Sequence, residues 1–154
     1  MTDFTTNYQP HADDQMLIAN AEAALANAYA PYSAFHVAAA LLLDNGVIVT
    51  GTNQENAAYP AGMCAERVAL FTAASQYPGE PIRKMAVVAR RDGAKDFSPA
   101  TSCGSCRQVM LEFEHRQGKP FQVIMLERPG SWLQARSAAS LLPFSFNKSN
   151  LSEP

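Results

Sequence analysis

Apolar and polar positions change rhythm several times along the chain, and each change marks an element. From Asp13 the stretch DDQMLIANAEAALANAYA opens with acids and continues rich in Ala, Leu and Met. It predicts a helix with an acidic N-terminus, ended before Pro31. FHVAAALLL at 35–43 and VIVTG at 47–51 flank Asp44-Asn45-Gly46, a strand–turn–strand signal. After the polar, turn-forming NQENAAYPAG comes a helix from about Cys64 to Ser75. YPGEP interrupts the chain, and KMAVVAR at 84–90 reads as a buried strand. RDGAKDFSPATS is a loop that delivers the chain to the helix CRQVMLEFEHRQ, which Gly118 and Pro120 end. FQVIML at 121–126 is another buried strand, and SAASLLPF suggests a last short helix or turn.

Two runs of strand–helix–strand after an initial hairpin predict an α/β layered domain with a mixed sheet. One domain is expected over 1–154, with its core at about 13–146 and flexible termini at 1–12 and 147–154. The composition, 47% apolar and 17% charged, fits a globular chain with its own core. A net charge of −2 gives no electrostatic reason to expect nucleic acid or an anionic membrane as partner. The start lacks the charged and apolar regions of a secretory signal, and the densest apolar run, VAAALLL, is too short to span a bilayer. Three cysteines, an odd number, therefore read as reduced thiols in the cytoplasm, free for metal or catalysis.

Those cysteines carry the chemistry. Cys64 and Glu66, two residues apart, open one predicted helix, while Cys103 and Cys106 stand at the start of the next. Helix N-termini favour thiolates, and a site shared by these residues must lie off the ends of both helices. Three thiolates leave a tetrahedral zinc one open position, as catalytic zinc sites do. His115 sits nine residues beyond Cys106, about 13 Å along a helix, and neither His36 nor His11 has ligand spacing, so a closed structural site is the weaker reading. A dithiol redox pair would leave Cys64 and Glu66 unexplained. At an open zinc position water ionises near neutral pH, and a carboxylate that is not a ligand, Glu66, can move its proton. Zinc's +2 against three thiolates calls for extra positive charge, which the helix ends supply and to which Arg67 and Arg107 could add.

The pattern Cys64-Ala65-Glu66 with Cys103-Gly104-Ser105-Cys106 matches the zinc-deaminase signature of a Cys or His, a spaced Glu and a Cys-x-x-Cys. With the blocks YSAFHVAAAL, GTNQENAAYPAGMCAERVAL, SCGSCRQVMLEF and LLPFSF, the chain resembles the short homotetrameric cytidine deaminases acting on free nucleosides, from about residue 13 to 146. The resemblance implies a three-layer α/β/α fold and one Zn2+ per subunit held by Cys64, Cys103 and Cys106. It implies Glu66 as proton shuttle, and hydrolysis of cytidine or deoxycytidine to the uracil nucleoside and ammonia, a salvage reaction. It further implies that Asn53 and Glu55 bond the ribose 3′-hydroxyl, that Phe35 packs on the pyrimidine and that the Ala65 amide meets its 2-carbonyl. Arg67 would hold a zinc-ligand sulfur, and Phe146 would reach a neighbouring subunit's site, so active sites would be shared. Without the motifs, Asn53 and Glu55 would read as turn chemistry and Phe35 as core. The chain departs from the family at Ser102, where proline is usual, and at Ala38–Ala39, where glycine is. Asn53-Gln54-Glu55-Asn56 argues against an aminopyrimidine-antibiotic deaminase, and the charge balance against a polynucleotide-editing one.

Overall fold

The computed structural model describes residues 3–152. Six strands form one sheet: β1 (Phe4–Tyr8), β2 (Phe35–Leu43), β3 (Ile48–Thr52), β4 (Ile82–Arg91), β5 (Gln122–Arg128) and β6 (Ser131–Ala135), in the order β1-β6-β5-β4-β2-β3. Three helices cover it: α1 (Ala12–Ala24), α2 (Ala65–Gln76) and α3 (Gly104–Gln117). The sheet is mixed, because β4 and β5 are parallel while every other neighbouring pair is antiparallel.

Alternation along the strands assigns the two faces. Ala38 and Ala40 of β2, with Val88 and Ile124, meet Leu17, Ile18 and Ala21 of α1. Ala39 and Leu41, with Met85, Val87 and Met125, meet Leu70 of α2 and Met110 and Phe113 of α3. The three layers α/β/α follow, and each large aliphatic fully buried contributes about 1.5–3 kcal/mol. The fully buried alanines at 38–40, two of which, Ala38 and Ala39, mark the departure from the resembled pattern's glycine, leave the strand's surface low enough for helices on both sides.

Connectivity brings two helix starts together. The chain leaves β3 through α2 to reach β4, then leaves β4 through α3 to reach β5. β3 and β4 both run antiparallel to β2, and so point the same way. Both crossovers advance across the sheet in one direction, and the right-handed rule puts both helices on one face. Their N-termini therefore emerge at the same end, beyond the carboxyl ends of β3 and β4.

Three sequence expectations need correction. Residues 1–12 are not a frayed tail over their described part: Phe4–Tyr8 form β1 on the β6 edge, and α1 already begins at Ala12. The strand is exposed at four of its five positions, and a register shift accompanies Asn7 at φ 51°. No hydrophobic alternation announced it. The first helix stops at Ala24, six residues before the expected end; Leu25–Asn27 tighten into a 3-10 turn and Ala28 becomes extended. Tyr29 then bonds the 53–55 loop, through its amide to Asn53 O at 3.0 Å and its carbonyl to the Glu55 amide at 2.9 Å, a tertiary gain that overrides helix propensity. At the other terminus Lys148–Leu151 form a 3-10 turn; residues 153 and 154, also expected to be flexible, lie outside the described residues, as do 1 and 2.

Candidate active site

Cys64 and Cys103 occupy equivalent positions, each the N-cap of its helix with extended backbone. Their carbonyls accept the first helical bonds, from Val68 N at 3.1 Å and Arg107 N at 3.0 Å. Neither side chain caps its own helix, so both sulfurs are free to face the gap between the helices. Cys106, three residues into α3, turns back toward the same point. The Cys64 and Cys103 sulfurs are 4.0 Å apart, Cys103 and Cys106 are 3.5 Å apart, and all three lie within 4.8 Å of one another. Zn–S bonds of 2.3 Å in a tetrahedron require sulfur separations of about 3.8 Å. The set fits a tetrahedral metal with one vertex left over. Among the described residues no other group of three such ligands converges.

The electrostatics agree with a cation site. A hydrogen bond from Cys106, followed by the Arg67 guanidinium, pulls the Cys64 thiol down to about 5. The Cys106 thiol moves up as donor in that contact, helped by burial and by the charges of Glu66 and Cys64. Arg67 Nη2 donates to Cys64 Sγ at 3.4 Å, and this contact holds the guanidinium above its ordinary range. Arg107 does not take the corresponding role. Its Nε donates to Ser102 O at 2.8 Å and its Nη1 to Leu141 O at 3.1 Å, which ties the start of α3 to the C-terminal segment.

Glu66, in the first turn of α2, is 5% exposed, and burial raises its carboxyl above the ordinary value. The position of α2 is set by Gly51 on β3. A Cβ there would lie 2.3 Å from Ala69 N and 2.7 Å from Ala65 O, so the helix backbone rests directly on the strand.

A cavity of about 790 Å3 opens over these residues, and its lining includes Phe35, Asn53, Glu55, Ala65, Glu66 and Arg67. Phe35 begins β2 immediately after Ala34, whose φ of 54° is a strained value for alanine. Asn53 is locked by β2: its Oδ1 accepts from Val37 N at 2.9 Å and its Nδ2 donates to Phe35 O at 2.9 Å. Each end of that amide keeps further bonding capacity. Glu55 accepts from the amide and hydroxyl of Ser33, at 3.2 and 3.1 Å. Phe146 is not brought into this cavity; it is 58% exposed, and its carbonyl accepts from Gln108 Nε2 at 2.7 Å. Sequence reasoning did not foresee Ser33 as the partner of Glu55, nor Arg91, which lines the cavity with its guanidinium 5.2 Å from the Phe35 ring centre. Both contacts join residues 22 or more positions apart, and no local pattern encodes them.

Comparison with known proteins places this geometry. Residues 11–118 match the family described as the cytidine and deoxycytidylate deaminase zinc-binding region. A cytidine deaminase of Sporosarcina psychrophila is 40% identical over 91% of this chain and 96% of its own length. One from Mycobacterium tuberculosis is 37% identical over 92% of this chain and 96% of its own. The crystal structure of cytidine deaminase from Burkholderia pseudomallei superposes with a TM-score of 0.72 at 40% identity, covering 90% of this chain and all of that one.

Proposed function

The chain belongs to the cytidine and deoxycytidylate deaminase zinc-binding family, and from that premise we infer that it is a zinc-dependent hydrolase converting cytidine to uridine and ammonia. The observation that carries the reading is the convergence of three sulfurs at tetrahedral spacing beside a buried, non-ligating Glu66. Zinc held by Cys64, Cys103 and Cys106 supplies Lewis-acid chemistry, making water nucleophilic near neutral pH.

The chain's own residues do the rest. Glu66 takes one proton of the attacking water and passes it to N3 of the base as the C4–O bond forms; it then carries the C4 hydroxyl proton to the amino group, so that the C4–N bond breaks, ammonia leaves and C4=O remains. A carboxyl raised by burial suits both directions of transfer. Phe35 packs on the pyrimidine, and the Ala65 amide, at the start of α2, donates to its 2-carbonyl oxygen. Asn53 and Glu55 take the ribose 3′-hydroxyl; the bonds that already immobilise both side chains support this, since little rotamer freedom is left to lose on binding. A contact to the 3′-hydroxyl leaves no room for a continuing strand, so the substrate is a free nucleoside, deoxycytidine included, in pyrimidine salvage. Arg67 offsets the negative charge of the thiolates through Cys64.

The assembly we propose is a homotetramer in which Phe146 completes a neighbouring subunit's site. Phe144 and Phe146, exposed on a tail tied to α3, support it. The chain acts as one domain in the cytoplasm: its three cysteines are free thiols, and no helix among the described residues is long and apolar enough to cross a membrane.

The zinc-loaded protein should release uridine and ammonia in equal amounts from cytidine, lose that activity on chelation and regain it with zinc. Bound zinc without turnover would leave a structural metal and overturn the reading.

A further inference from the structure

Ser33, in the turn before β2, joins two residues that the proposed reading assigns to substrate. Its hydroxyl accepts from the Phe35 amide at 3.1 Å and donates to Glu55 Oε1 at 3.1 Å, while its own amide donates to the same oxygen at 3.2 Å. Ser33, Phe35 and Glu55 all line the cavity. Ala34, between the first two, keeps its φ of 54° because it is held from both sides: its amide donates to Ala30 O and its carbonyl accepts from Asp92 N, each at 3.0 Å. Strained backbone of this kind persists only where its surroundings over-determine it. The consequence falls on Glu55. Both bonds from Ser33 end on Oε1, and Oε2 has no hydrogen-bond partner among the described residues. A charged carboxylate oxygen is a strong acceptor, and this one is left free at the cavity.

We propose that Ser33 is a specificity-determining positioning residue: it holds Oε1 of Glu55, presents Oε2 to the ribose 3′-hydroxyl, and ties that carboxylate to the backbone that carries Phe35. The role rests on the reading of Glu55 as a ribose contact. An unheld glutamate turns about three torsions, the last of them broad, and ordering it on binding would weaken affinity. The two bonds from Ser33 do that ordering beforehand. They also sharpen selection, because a site built to bond a hydroxyl rejects the analogue that lacks it, its own polar group then being left unpaired. Asn53 is locked separately, by Val37 N and Phe35 O, so loss of the Ser33 hydroxyl weakens recognition of the 3′-hydroxyl without abolishing it.

Ser33→Ala and Ser33→Thr test this on substrates with and without the hydroxyl, with melting temperature measured alongside. Ser33→Ala should raise KM for cytidine and deoxycytidine about fivefold with kcat little changed. KM for 2′,3′-dideoxycytidine, which has no 3′-hydroxyl, should stay at the parent value. Ser33→Thr keeps the side-chain hydroxyl and should retain the parent KM on all three. In a Glu55→Ala background the Ser33→Ala change should add nothing. A rise in KM of equal size on all three substrates, or on none of them, would overturn the proposal. Parent protein inactive on cytidine would instead bring down the functional reading, and equilibrium binding of uridine and 2′,3′-dideoxyuridine would then decide the role of Ser33. Uridine binding weakened about fivefold in Ser33→Ala, with the dideoxy compound unaffected, would uphold it; equal behaviour of the two would overturn it.

Discussion

Two carboxylates are buried on opposite faces of the sheet, and the chain treats them in opposite ways. Asp14, on the α1 face, is 1% exposed and surrounded by donors: the Tyr8 hydroxyl, the Lys84 ammonium and the His11 amide at 3.0 Å. Burial pushes its carboxyl up, but those donors outweigh the push and its net shift is downward. The Tyr8 hydroxyl, buried and beside that charge, rises to about 12. Glu66, on the α2 face, is nearly as buried, but burial is offset by no cationic partner and the Cys64 charge stands beside it, so its shift is upward. A saturated buried charge is fixed and serves as a clamp, here joining β1, α1 and β4. One without a cationic partner keeps a raised carboxyl, suited to taking and giving a proton.

Breaking the clamp should cost the most stability. Asp14→Ala leaves the Lys84 ammonium half of a buried pair without its partner and frees Tyr8, and should lower folding stability by about 3 kcal/mol. Urea unfolding measures it, and kcat/KM of the surviving folded fraction should stay close to parent. A similar loss is expected on the other face from Gly51→Ala, about 3 kcal/mol by overpacking. There kcat should fall as well, because the added Cβ pushes on Ala65 and Ala69, the backbone that carries Glu66. A kcat left untouched would separate the strand contact from the placement of the Glu66 turn.

The smallest effect is a pH dependence. Asp14's folded carboxyl lies below its ordinary value of 3.8, so its stabilisation is fully present above that pH and is lost as pH falls through the folded value. The difference in urea midpoint between parent and Asp14→Asn should be constant from pH 7 to about 5 and shrink below 3.8. A gap that narrows between pH 7 and 5 would mean that the clamp is not what sets it.

The same contrast explains what was legible in the sequence. Cys64, Glu66, Cys103 and Cys106 sit within short motifs at helix starts, and helix starts and the β2–β3 hairpin are local features. Spacing alone was enough to place them. Asp14 read only as an acid near a helix N-terminus, because its partners Tyr8 and Lys84 lie 6 and 70 residues away. β1 and β6 are five residues each. They pair with each other across the whole chain, and Trp132, Leu133 and Gln134 are only half-buried, too weak a pattern to announce a strand. Arg107 was legible as a cation near a ligand, yet its direction was not, since the carbonyl of Leu141 that draws it away is 34 residues distant. Long-range hydrogen bonds decide such orientations, and no window of sequence contains them.

The central claim is that Glu66 moves the proton and Asp14 does not. Uridine formation from cytidine by parent and Glu66→Gln, at matched zinc content, tests it most directly. The account predicts kcat lower by about 10^2 to 10^4 with the melting temperature unchanged or higher, because a buried charge is removed. Turnover of Glu66→Gln within a few-fold of parent, with zinc equally bound, would contradict it.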